Sequence, residues 1–177
     1  MPPVLERPSM PPVLERSSTP PVLVLYEPGA AGKAALSAAE RLAVERGTAM
    51  HVLVVLPLER EDVGCGRCRQ SAALFNAELR EVAVEWLAEA AGVLRDRRRL
   101  GGGPPVAFES ARGSLDVEAI RVASREQAAE VVVPYRRRGP MRRLWPDWID
   151  RLARAGPWVV RLGPRPRGRA WRAVDGA

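Results

Sequence analysis

The sequence predicts an α/β domain built on a parallel sheet with helices on both faces. Three observations carry that expectation. Five short apolar runs read as strands buried on both sides. Four segments with helical periodicity alternate with them. Each link is long enough for a crossover helix, which parallel neighbours require.

The first run, Val22-Leu23-Val24-Leu25-Tyr26, ends at Glu27-Pro28-Gly29. A helix over 31–46 then sets Leu36, Ala39 and Ala43 on one face, and Gly47 supplies its stop. The second strand is 51–56, from His51 to Leu56, closed by Pro57. A loop over 59–68 leads into the longest helix, 69–95. There Phe75, Leu79, Val82, Trp86, Ala90 and Val93 recur at steps of three and four. Glu78, Glu81, Glu85 and Glu89 fall mostly off that stripe and are expected to face water.

Gly101-Gly102-Gly103-Pro104 breaks the chain before a third strand, 106–109. The triplet precedes a strand instead of a helix, so it reads as a linker and not as a phosphate loop. A helix over 117–127 turns Val117, Ile120 and Ala123 inward, with Asp116 near its positive end. The fourth strand is Val131-Val132-Val133. The last helix, 146–155, opens on Pro146 and closes at Gly156-Pro157. The fifth strand is Trp158-Val159-Val160-Arg161-Leu162. The domain therefore spans 20–163, and the Arg- and Pro-rich residues 164–177 read as a basic flexible tail.

The first 19 residues contain a duplication: MPPVLERPS over 1–9 and MPPVLERSS over 10–18. Nine residues are too short for a stacking repeat, and the prolines block strand pairing. The segment reads as a disordered leader, with Met10 an alternative start. No apolar run approaches the roughly 18 residues of a membrane span. No basic region followed by an apolar stretch marks a signal peptide. Two cysteines cannot staple a secreted fold. Cytoplasm is the expected location.

The net charge is +7. Residues 134–177 carry 12 basic and 3 acidic side chains, whereas the preceding part is nearly balanced. Such a block attracts nucleic acid or other polyanions. Of the 28 basic residues 27 are arginine, with Lys33 the single lysine. That choice, beside abundant Ala, Gly and Pro, is also what a GC-rich genome produces without selection for binding.

Ligands in open parallel sheets sit at the carboxyl ends of the strands, where strand order reverses. The loops to inspect are thus 27–33 and 134–144. Glu27, Arg136, Arg137, Arg138 and Gly139 form the candidate ligand crevice. Tyr135, Trp145 and Trp148 interleave with these arginines, a combination that grips phosphate while a ring stacks on a base. The plainer alternative has the tryptophans packing the last helix and the arginines facing water.

Cys65-Gly66-Arg67-Cys68 leaves three readings open: inert thiols, a reversible disulfide favoured by nearby Arg67 and Arg69, or a metal shared between subunits. His51 opens a buried strand with no Cys, Ser or Asp partner by spacing, and reads as structural. Ser110, Ser114 and Ser124 lack a nucleophile-elbow context. No catalytic constellation emerges, and no metal site within one chain.

The later part of the chain resembles a known family. Gly113-Ser114-Leu115-Asp116-Val117-Glu118-Ala119-Ile120, then Ala123 and Ala129-Glu130-Val131-Val132-Val133, is similar to the third helix and fourth strand of universal stress proteins. Arg142-Arg143-Leu144, Ile149, Arg151-Leu152 and Gly156-Pro157-Trp158-Val159-Val160 resemble that family's final helix and strand. The resemblance implies a five-stranded parallel sheet in the order 3-2-1-4-5. It also implies a homodimer through the fifth strand, with Trp158 and Val160 lining the interface.

ATP-binding members carry Gly-x-x-Gly, nine residues, then Gly-Ser or Gly-Thr, where backbone amides cradle phosphates. Here Pro134, Arg137, Asp147 and Trp148 stand at those positions, and Glu27 replaces the usual aspartate. No ATP cofactor is expected. The resulting expectation is a non-catalytic binding or regulatory protein of the stress response. Two alternatives are a nucleic-acid- or polyanion-binding accessory protein using the basic last quarter, and a thiol redox sensor using Cys65 and Cys68.

Overall fold

A computed structural model describes residues 19–58, 66–98, 102–135, 148–164 and 172–173. The first strand, β1 (Val22–Leu25), lies at the centre of the sheet with all four side chains buried. It pairs in parallel with β2 (Met50–Leu56), Val22 opposite Met50. On its other side it pairs with β4 (Glu130–Val133), Val22 opposite Glu130. β3 (Val106–Arg112) continues the sheet beyond β2, and β5 (Val159–Leu162) lies beyond β4. The order of the five parallel strands is the expected 3-2-1-4-5.

Alternation along β1 splits the core into two layers. Val22, Val24 and Tyr26 face a layer covered by α1 (Ala30–Arg46) and α2 (Gly66–Arg98). Leu23 and Leu25 face a second layer under α3 (Leu115–Arg125) and α4 (Trp148–Arg154). Each fully buried Val or Leu contributes roughly 1.5–3 kcal/mol, and a charge at Val24 would break the first layer. α1 approaches closely because its inner face is small: Ala35, Leu36, Ala38, Ala39 and Ala43 are all buried. Gly47 ends it in the left-handed conformation at φ 61°, its N–H reaching the Ala43 and Val44 carbonyls.

Several boundaries differ from the sequence expectation. α2 starts at Gly66 and ends at Arg98, so the backbone of Cys68 lies in its first turn instead of a loop. Arg67, Arg69 and Gln70 are good helix formers with no proline among them, which permits the extension. Phe75 belongs to the stripe yet is 39% exposed, since packing tightens only from Asn76 onward. Glu89 does not simply face water: it pairs with Lys33 at 2.8 Å.

β3 runs three residues longer than expected, its register with β2 holding to Leu56 opposite Arg112. Its burial pattern is mostly exposed because it is an edge, so its polar end did not look like a buried strand. α3 begins at Leu115 and ends at Arg125, two residues early at each end. Gln127 cannot continue the helix because it adopts φ 52°.

The largest departure concerns the fifth strand, expected to be an edge. A sixth strand, β6 (Arg172–Ala173), pairs with it antiparallel, Leu162 opposite Arg172 and Arg161 opposite Ala173. No apolar run in the sequence marks β6 as a strand.

Candidate functional site at the mouth between β1 and β4

Strand order reverses between β1 and β4, and their carboxyl ends define the mouth. On the β1 side the chain turns sharply into α1. Tyr26 N–H still donates to the Leu53 carbonyl at 2.9 Å, and the chain then passes through half-buried Glu27. Gly29 follows at φ 105°, a conformation that favours glycine. Gly32 lies so near the Glu27 carbonyl oxygen that any Cβ would run into it.

Beneath this turn, Tyr26 is almost completely buried. Burial first, and the Glu89 carboxylate second, together push its phenol up to about 12. The hydroxyl makes no hydrogen bond of ordinary geometry, so Glu89 acts on it chiefly through charge. Lys33, one turn into α1, holds Glu89 from the other side.

On the β4 side Pro134 is buried and Tyr135 half-buried. Pro134 has no amide proton, so the first position of a phosphate cradle lacks a donor. The neighbouring Val133 carbonyl is taken by Gly163 N–H at 2.7 Å. Trp148 opens α4 and packs partly buried against the second layer. Arg136, Arg137, Arg138 and Gly139, with Asp147, lie outside the described residues.

Beside the mouth, α3 and α4 are clamped. Ser114 donates to the Asp116 carboxylate, and Arg151 Nε reaches Asp116 Oδ2 at 2.5 Å. The Ser114 hydroxyl foremost, then Arg151, holds the Asp116 carboxyl below its usual range against the opposing effect of burial. Ser114 is thus a donor to a carboxylate already held by arginine. That arrangement ties α3 to α4.

The remaining sequence candidates are dispersed. His51 is buried at the start of β2, its Nε2 3.1 Å from Glu109 Oε2 without hydrogen-bond directionality. Glu109 is gripped by Arg125, which holds its carboxyl below the usual range. Cys65 lies outside the described residues, as does the Cys68 side chain, so the CxxC stays an expectation. Trp158 and Val160 are buried in the chain's own second layer. The Trp158 indole N–H donates to the Leu152 carbonyl at 2.9 Å, and Val159 is the exposed member of β5 at 42%.

Sequence reasoning missed the ionic cluster on Glu130, which receives Arg161 and Arg46. Its signal was a lone acid at the head of an apolar strand. A shallow hollow of about 300 Å³ lined by Glu40, Arg41, Val44, Glu45, Arg97 and Gly102 lies at the opposite end of the sheet. Within it Arg97 stands 3.8 Å from Glu40. Among the described residues no three His, Cys, Asp or Glu side chains gather to hold a metal.

No family model matches the sequence, and no curated protein matches it. Solved structures match over nearly the whole domain. A universal stress protein family member from Burkholderia pseudomallei aligns at TM-score 0.57 and 17% identity, over 82% of this chain and 96% of that one. UspA from Lactobacillus plantarum aligns at TM-score 0.57 and 16% identity, over 81% and 97%. A universal stress protein in complex with cAMP aligns at TM-score 0.56 and 14% identity, over 82% and 97%. The molecule is an open α/β domain with its mouth at a topological switch point. Its fold is that of the universal stress proteins.

Proposed function

We propose that this chain is a universal-stress-protein-like binding and regulatory protein of the stress response, with no reaction of its own and no ATP cradle. The observation that carries the reading is Pro134, buried at the end of β4 where a phosphate cradle would begin. A cradle needs an N–H and the space a glycine leaves, and proline provides neither. Trp148 adds to this, since its ring is packed into the second layer and is not free to yield to phosphate. The clamp on Asp116 supports the non-catalytic part, because Ser114 and Arg151 leave that carboxylate no proton-transfer role.

The likeness in fold supports two further parts of the reading: a cytoplasmic setting, and pairing of two copies through β5. No helix among the described residues is long and apolar enough to cross a membrane.

Thermal unfolding with ATP and Mg²⁺, ADP, AMP and cAMP tests the proposal. The expected result is an unchanged midpoint with ATP–Mg²⁺ at millimolar concentration and no phosphate release. A dose-dependent rise with ATP–Mg²⁺ would overturn it, because a ligand that binds only the folded state must raise stability.

A further inference from the structure

The end of the sheet away from β5 is the open edge of β3. Met50 N–H donates to the Pro105 carbonyl at 2.8 Å and Gly113 N–H to the Leu56 carbonyl at 2.9 Å, so the odd-numbered residues of β3 serve β2. The amides and carbonyls of Val106, Phe108, Ser110 and Arg112 therefore turn outward. Among the described residues no strand pairs with that side. Sheets commonly blunt such an edge with proline, lysine, a bulge or a very short strand. β3 instead holds an unbroken register over seven residues, with neither proline nor lysine among them. Phe108 lies opposite Val52, on the α2 side of the sheet, and is 40% exposed.

Beside this edge, α2 touches both β2 and β3 and keeps one side in water. Ala83, Ala90 and Leu94 are buried toward the sheet, while Glu89 and Arg97 turn to Lys33 and Glu40 of α1. Glu81, Val84, Ala88, Ala91 and Arg95 recur at steps of three and four along the remaining side, over the β3 edge. Val84 is 67% exposed, and Glu81, Ala88 and Arg95 are exposed with it. This stripe is complementary to itself in reverse: Glu81 of one copy meets Arg95 of another, Val84 meets Ala91, and Ala88 meets Ala88.

We propose that the β3 edge and this side of α2 form one docking surface for a second copy of the chain, antiparallel across a two-fold axis at Glu109 and Ala88. The surface goes beyond the pairing read for β5 and does not rest on it, since it lies at the opposite end of the sheet.

Strand and helix require the same axis. A two-fold at Glu109 sets Phe108 of each copy opposite Ser110 of the other, and Val106 opposite Arg112. Those are the residues whose backbone groups point outward, so the antiparallel rings close. Glu109 is level with Leu53, whose carbonyl accepts the Tyr26 N–H, and the Tyr26 phenol lies against Glu89, the neighbour of Ala88. The helix axis of symmetry thus stands at the height of the strand's. A helix seated over β2 and β3 comes to lie roughly 10 Å from its mate across that axis, a packing distance that alanine and valine suit. The two Glu109 carboxylates, which would otherwise repel there, are each held by Arg125 and approached by Arg121 of their own chain. An extended foreign peptide would fill the strand edge but leave the stripe on α2 unanswered. A second copy answers both.

Sedimentation velocity from micromolar to a few hundred micromolar tests this on the parent chain, Glu81→Arg, Arg95→Glu and the double swap. Both side chains are exposed, so the swaps leave the core intact. Each single swap sets like charges against one another across the axis, and the double swap restores opposite charges in reversed order. The expected result is self-association weakened at least about tenfold in either single variant and recovered in the double. Hydrogen exchange at Phe108 and Ser110 should slow with concentration in the parent and the double variant only. A parent that stays monomeric overturns the proposal, and so do single swaps that the double fails to rescue. Self-association untouched by every swap overturns it too and leaves β5 as the contact. If the β5 pairing alone is wrong, the parent stops at a dimer that the swaps still govern; if both contacts form, copies add into longer rows.

Discussion

Arg161 and Glu130 meet between neighbouring strands, Nε to Oε2 at 2.5 Å and Nη2 to Oε1 at 3.1 Å, with the carboxylate 1% exposed. Arg46 reaches the same carboxylate from the last turn of α1. One buried acid therefore ties together the first helix, β4 and β5. A carboxylate so placed is tolerable only while its cations stay.

Arg161→Met should destabilise the fold by about 1–3 kcal/mol, below the full cost of stranding a buried charge, since Arg46 remains. Glu130→Leu combined with Arg161→Met should recover part of that loss, because the stranded carboxylate is gone. Urea unfolding of the single and double variants measures both. A double variant less stable than Arg161→Met would refute the account.

The Asp116 clamp predicts an acid-side dependence. Ser114 first and Arg151 second hold the folded carboxyl below its usual range. A group depressed in the folded state adds stability in full above its unfolded pKa of about 3.9 and loses it as pH falls through the lower folded value. Glu109, held low chiefly by Arg125, acts in the same direction. Asp116→Asn should therefore be less stable than the parent near neutrality, with the gap narrowing below about pH 4. Urea midpoints between neutrality and pH 3 follow it; a constant gap would mean that the carboxylate's charge is irrelevant.

The legible part of the molecule was whatever hydrophobic periodicity governs. Val22–Leu25 and Val131–Val133 are buried on both faces, so their strands were unmistakable and their order followed from the family pattern. β3 was read short because an edge strand need not be apolar, and β6 was missed because two backbone-paired residues leave no trace in composition. Pro134 was legible as a position that lacks a donor. The roles of Glu130, Glu109 and Asp116 were not, because each depends on an arginine 16 to 35 residues away that only the fold brings near.

Tyr26 predicts an alkaline limit. Its phenol is pushed up to about 12, first by burial and then by Glu89. A raised folded pKa gives stability that is present below the unfolded value near 10 and lost as pH rises through the folded one. Absorbance titration at alkaline pH should show one tyrosine ionising late, and Tyr26→Phe should remove that late step. Survival of the late step in Tyr26→Phe would refute its assignment to Tyr26.

Two glycines separate backbone need from accident. Gly32 allows α1 to turn back over the end of β1, where a Cβ would meet the Glu27 carbonyl oxygen and could not be relieved by a side-chain swing. Gly32→Ala should therefore destabilise by about 1–3 kcal/mol or more, as overpacking does. Gly92, in the body of α2, has nothing within 4 Å of where its Cβ would lie. Gly92→Ala should stabilise by roughly 0.5–1 kcal/mol, since alanine loses less chain entropy in a helix. Opposite signs in parallel urea titrations are the expected outcome. Equal signs would show that the turn from β1 into α1 has room to relax, and with it that the mouth is not rigidly shaped by Gly32.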